Sequence, residues 1–138
     1  MSKQTGLGAT VTVDDSGGTV RAITNDVQSF QFAMPRGVLD DTGVDKSAIE
    51  RTLLLADFSV SLTTTAINFA AAPSFHDCFK TVPSTTVGRT TAILCGTGGG
   101  TITAEVLYTD YQVTRGQDGA LGATVPGVLQ NGVAPAWS

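Results

Sequence analysis

The run RTLLLADFSVSLTTTAI, residues 51–67, decides the fold class. Leu54, Ala56, Phe58, Val60 and Leu62 share one parity, and Leu55, Asp57, Ser59 and Ser61 share the other. Side chains two residues apart lie on the same face of a strand, so the run reads as one long strand with a dry face. Upstream, VQSFQFAM (27–34) puts Phe30, Phe32 and Met34 on one face and Ser29, Gln31 and Ala33 on the other. Pro35 then closes that strand, because it has no backbone N–H to give to a ladder. Between the two strands lies RGVLDDTGVDKSAIER (36–51), which carries Arg36, Asp40, Asp41, Asp45, Lys46, Glu50 and Arg51. Connections beyond about 12 residues are uncommon inside compact domains and usually functional or mobile, so this charged arm asks for a partner.

The rest of the chain extends the β reading outward. In ATVTVDDSGGTVRAI, Ala9, Val11 and Val13 share a face, the segment 15–18 turns, and Val20 and Ala22 resume the strand as a hairpin. The last third reads as VGRTTAILC, a GTGGG turn, TITAEVLYTDYQVTR, a GQDG turn and ALGATV. Ile102, Ala104, Val106 and Tyr108 hold one parity, yet Tyr111 and Val113 hold the other, which requires a bulge or bend near Thr109 and Asp110. One helix is expected over about 74–82, where Phe75, Cys78, Phe79 and Val82 form a packing stripe, Ser74 is the N-cap and Pro83 the stop. The ending PGVLQNGVAPAWS (126–138) reads as a Pro/Gly coil pinned by Trp137.

Totals agree with a mainly β single domain over residues 1–138: glycine is frequent and the apolar fraction is 41%. The net charge is −4 with no basic cluster, so the chain does not grip nucleic acid through phosphate neutralisation. The N-terminus lacks the zones of a signal peptide and no apolar run is long enough to span a bilayer, which points to a cytosolic origin without membrane contact. Cys78 and Cys95 are too few for a disulfide framework or a zinc site, and both are expected as thiols.

Candidate chemistry is thin. His76, Asp77 and Cys78 are contiguous, but Cys78 falls on the stripe of Phe75 and Phe79, the pattern of a buried small hydrophobe beside a solvent-facing histidine rather than of a hydrolase nucleophile. With one histidine in the chain, a Ser-His-Asp triad or a His-rich metal site is poorly supplied. CGTGGGT lacks the Gly-Lys-Ser/Thr of a phosphate loop, and GLGA precedes a strand rather than following one, so no cofactor is implied. Asp40, Asp41, Asp45 and Glu50 do not have EF-hand spacing, and a solvated or interfacial loop is the reading preferred over a calcium site. A monomeric β-sandwich binding module, for example for a saccharide, would have only Tyr108, Tyr111 and Trp137 as aromatic platform.

The segments MSKQTGLGATVTVDDSGGT, TNDVQSFQF, TGVDKSAIERTLLLADFSVSL, HDCFKTVPSTT and PGVLQNGVAPAWS together make the chain resemble the small major tail proteins, or tail tube proteins, of long-tailed actinobacteriophages. The resemblance covers nearly the whole chain and implies a β-sandwich or barrel-like fold with one short helix and a long hairpin arm, assembling into hexameric rings that stack as a tube. Each copy would lend about four strands to an inner barrel of about 24. It further implies a structural, non-enzymatic virion protein, put together in the host cytoplasm, whose partners are itself, the tape measure, tail terminator and tail tip proteins, and double-stranded DNA in passage. A head-to-tail connector or a capsid decoration protein of similar fold is the alternative. On this view strand 27–34, arm 36–51 and strand 52–62 form a hairpin lining or bordering the bore. Asp40, Asp41, Asp45 and Glu50 are then candidates to face the lumen, with Glu105 and Asp110 in reserve, and Arg36, Lys46 and Arg51 are candidates to bridge subunits.

Overall fold

The computed structural model describes residues 5–71, 73–81 and 88–138. Its strands are β1 (Thr10–Asp14), β2 (Val20–Ala22), β3 (Ser29–Ala33), β4 (Arg36–Asp40), β5 (Arg51–Ala56), β6 (Ser59–Thr64), β7 (Arg89–Leu94), β8 (Thr101–Tyr108), β9 (Gln112–Arg115), β10 (Leu121–Leu129) and β11 (Ala136–Trp137); the helix α1 (Phe75–Phe79) lies between β6 and β7. Nine strands pair in one antiparallel sheet of order β2-β1-β7-β8-β10-β6-β3, with β11 added to β8 and β9 to β10. Among the described residues, β4 and β5 pair only with each other. The mainly β class with one short helix and a hairpin arm is what the sequence led us to expect.

Strict alternation builds the core. Along β6, β7 and β8 every second side chain is buried, and the inward set joins Val11, Val13, Val60, Leu62, Ile93, Ile102, Val106, Tyr108 and Val125 in one cluster. α1 closes that cluster with Phe75, Cys78 and Phe79. At its N-terminus the Ser74 hydroxyl accepts the Asp77 N–H at 3.1 Å, as the capping pattern requires. The helix is shorter than the expected span, and Val82 and Pro83 lie outside the described residues.

The parity switch is a bulge at the expected place. Tyr108 faces Gly127 and Gln112 faces Thr124, while the Thr109 N–H reaches the Pro126 carbonyl, so Asp110 and Tyr111 both stand opposite Val125. The same bulge explains how a proline sits inside β10. The missing N–H of Pro126 points to the β8–β9 side, where the ladder is interrupted anyway.

Two expectations fail for identifiable reasons, and the expected first hairpin forms with its second strand facing outward. The run 51–67 is two strands, not one: only Phe58, Val60, Leu62 and Thr64 are dry, because the body ends at Asp57 and Leu53, Leu54 and Leu55 leave it on the arm. Val20 and Ala22 lie on the face opposite Val13, since the turn sets Asp14 against Val20 and Thr12 against Ala22, and Ile23 takes the inward place. Residues 126–138 are not all coil, because β10 continues through Pro126 to Leu129 and β11 pairs with β8.

Candidate assembly surface

β4 and β5 prolong β3 and β6, and the register carries across the joint as far as Arg36 and Ala56. Ala33 faces Ser59, the Asp57 N–H donates to the Pro35 carbonyl at 3.1 Å, and Arg36 faces Ala56. The register then shifts, Val38 facing Leu53, so Leu54 and Leu55 together oppose Gly37. Gly37 lets the two strands approach closely there: a Cβ would lie 3.2 Å from Leu54 Cδ1, close enough to displace that methyl slightly. Arg36 Nε donates to the Leu54 carbonyl at 2.6 Å and pins the bulge. The arm, read from sequence as something other than a strand, is therefore a ribbon for much of its length.

The tip is held by its own carboxylates. The Thr42 hydroxyl donates to Asp40 Oδ1 at 2.6 Å and accepts the Glu50 N–H at 2.7 Å, while the Thr52 hydroxyl donates to Asp41 Oδ2 at 2.6 Å. Hydrogen bonds from the hydroxyl and the N–H of Thr42 hold the Asp40 carboxyl below its ordinary range. Asp45 and Glu50 are exposed at the same end with Lys46 and Arg51, Arg36 is exposed at the root, and among the described residues no ion pair engages those three cations. The structure thus gathers all seven candidates on one projecting ribbon. Glu105 lies elsewhere, on β8, where it accepts the Thr90 hydroxyl, and Asp110 sits at the bulge and accepts the Tyr111 N–H at 2.8 Å.

Apolar side chains on the ribbon are what the sequence reading missed. Val38, Leu39, Val44, Ile49, Leu53, Leu54 and Leu55 are all exposed, Leu53 at 59% and Leu55 at 90%. At the root of the ribbon a groove of about 740 Å³ is lined by Pro35, Arg36, Gly37, Leu53, Leu54, Leu55 and Asp57. A lone two-stranded hairpin is marginal in water, and a contiguous exposed apolar patch marks an interaction surface. β3 and β9 add to this: among the described residues each pairs on one side only, so the four neighbours β3-β6-β10-β9 end in two open edges there.

The other candidates are occupied within the fold. Cys78 is fully buried, and burial followed by the nearby Asp77 charge pushes its thiol up to about 11, which removes it as a nucleophile near neutral pH. His76 faces away, its Nδ1 3.1 Å from the Tyr111 hydroxyl and its ring against Phe69. The two glycine-rich segments meet each other: the Thr97 N–H donates to the Leu7 carbonyl at 3.0 Å, and the β7–β8 turn closes with Gly96 and Gly98 at positive φ. Tyr108 is buried against Thr91, and Trp137 packs on Phe32 and beside Gly100. Asp26 has a role no spacing revealed, accepting the Phe75 N–H at 2.9 Å and tying Asn68 to the start of α1.

No family model matches the sequence, and no curated protein does. Solved structures do match in fold. A chain from the tail of an empty gene transfer agent particle, reconstructed by helical refinement with C6 symmetry, has a TM-score of 0.75 at 14% identity over 99% of both chains. A chain from the virion of a native gene transfer agent particle has a TM-score of 0.68 at 11% identity, over 93% of this chain and 95% of that one.

Proposed function

We propose that the chain is a structural virion protein whose copies form hexameric rings stacked into the tube of a phage tail, through which DNA passes at ejection. The carrying observation is the ribbon β4–β5: it continues the body's ladder through the pair Arg36 and Ala56, yet presents its leucines to water on leaving the body. Such a ribbon is completed by a surface it does not own, and identical copies supply that surface without a second gene product. The fold likeness to the C6-symmetric tail of a gene transfer agent particle supports the same reading, as does the resemblance to actinobacteriophage tail tube proteins.

In this arrangement the ribbon reaches a neighbouring subunit with Leu53 and Leu55 as its apolar contacts. Arg36, Lys46 and Arg51 bridge to that neighbour, and the carboxylates Asp40, Asp41, Asp45 and Glu50 lie toward the channel near a junction between rings. Heterologous contacts close within the ring and stay open along the axis, so one sequence makes both ring and filament. Tape measure, terminator and tip proteins meet the ends of the tube, and the protein performs no catalysis. Negative-stain microscopy of the purified chain at high concentration tests the reading. Tubes with an axial channel are the expected result, and a monomer that persists at every concentration and salt overturns it.

A further inference from the structure

We propose that the wall of the channel is the open face of β3-β6-β10-β9, a surface of hydroxyls and amides without an ionisable side chain, and that charge meets the DNA only at its margins. The inference rests on the tube reading above. Its rows follow from the pairing. Ser29, Thr63, Thr124 and Gln112 stand side by side across the four strands; Gln31, Ser61 and Pro126 form the next row, and Ala33, Ser59 and Val128 the row beyond. Gly122 and Thr114 fill the opposite end. Arg115 has the other parity, with Val113, so it leaves this face.

Topology decides which way the face turns. The reverse face of the same strands carries Phe30, Phe32, Val60, Leu62, Ala123 and Val125, all in or against the core. The rest of the body, with α1, β1 and β7, therefore lies on that side, while β8 joins β10 edge to edge at Val106–Tyr108. A ring closed through the open edges of β3 and β9 has two choices. With the core side inward, the bodies of all its subunits would fill the bore; with the open face inward, a channel remains.

The acids nearest this face sit at its rim, among them Glu105, which shares the outward parity of Leu107, the partner of Val128 on β8. Asp57 is at the hinge before β6, Asp110 at the bulge, and Asp118 in the turn between β9 and β10. The arm's carboxylates lie past the hinge, beyond the end of the rows. A duplex binds where Lys or Arg neutralise phosphates and release counterions, and hydroxyls and amides do neither. The wall then offers only exchangeable hydrogen bonds, largely through water, to a backbone moving past it. The sparse acids at each rim keep the duplex off the wall by repulsion.

Helical reconstruction of tubes grown from the purified chain tests the placement. We expect Gln31, Ser61, Thr63 and Thr124 to face the axis. An intact tube whose axis is lined by the arm or by another face overturns this inference and leaves the tube reading standing; failure to form tubes overturns both. The chemical half is tested with Gln31→Lys and Ser61→Lys, against Gln31→Glu and Ser61→Gln, by co-sedimentation of a short labelled duplex. Tubes of the unsubstituted chain, Gln31→Glu and Ser61→Gln should leave the duplex in solution. At least one lysine variant should retain it at about 50 mM salt, with retention falling at least tenfold by about 200 mM. Retention by the unsubstituted tubes, or no retention by tubes of either lysine variant, overturns the neutral-wall mechanism.

Discussion

The backbone N–H of Asp57 donates to the carbonyl of Pro35 at 3.1 Å, and Pro35 has no N–H with which to return the bond. That half-made pair is the joint between body and arm. Above it the ladder β3–β6 packs on the core; below it β4–β5 stands in water.

Asp57→Pro removes the remaining donor of the joint and the Asp57 carboxylate that accepts the Phe58 N–H at 2.7 Å. The body should fold as before, with a shift in stability no larger than about 1–2 kcal/mol, while the arm loses its fixed direction. Hydrogen exchange checks this: amides of β4 and β5 should exchange at least tenfold faster and those of β7 and β8 at unchanged rates, with assembly slowed or lost. Equal protection of the arm in both proteins would show that the joint does not hold it.

Leu53→Ser with Leu55→Ser tests the apolar contacts directly. Both side chains are exposed in the isolated chain, so their loss should alter the urea midpoint by no more than about 0.5 kcal/mol equivalent. The concentration at which tubes appear should rise by an order of magnitude or more. A destabilised monomer with normal assembly would reverse the assignment, placing these leucines in the monomer's own core.

The long leucine run shows how far sequence carried and where it stopped. Alternation identified the strand and its dry face correctly from Phe58 to Leu62, because there the outward residues are Ser59 and Ser61 and the contrast is clear. In Leu53, Leu54 and Leu55 both parities are apolar, so pattern alone could not tell a buried strand from a ribbon that leaves the body with its leucines exposed. The bulge at Asp110 and Tyr111 was legible for the opposite reason: two well-patterned stretches disagreed in phase, and only an extra residue reconciles them. Asp26 was not legible, since its contact with α1 joins residues 49 apart in the chain, and nothing in TNDVQ announces a long-range cap.

Acid should act on the first hairpin through Asp15. Burial alone would raise its pKa, but hydrogen bonds from the Thr19 N–H, the Arg21 guanidinium and the Gly17 N–H, with the charge of Arg21, outweigh it and leave the carboxyl below its ordinary value. A depressed folded pKa gives stability that is present above the unfolded value of 3.8 and is lost as pH falls through the folded one. Asp15→Asn should therefore lower the urea midpoint at pH 6, and the difference between the two proteins should shrink as pH falls below 3.8. A difference that stays constant across that range would show that the charge of Asp15 contributes nothing.

Cys78 offers a readout of the whole fold. Its thiol is buried between Phe75 and Phe79 and pushed up to about 11, so at pH 8 only about one molecule in a thousand carries the thiolate there. Cys95, at the end of β7, is partly accessible and should react first with a thiol reagent. We expect one fast thiol in the native chain and a second that reacts only as the chain unfolds, at a rate independent of reagent when reagent is abundant. The sign of the pH effect follows: the unfolded thiol ionises near its ordinary 9.0 and the folded one does not, so stability should decline as pH rises past 9. Cys78→Ala should flatten that alkaline decline while costing up to about 2 kcal/mol of packing at pH 7. Two fast thiols in the native protein would mean that α1 opens independently of the sheet, and the stripe Phe75, Cys78 and Phe79 would then not be part of the cooperative core.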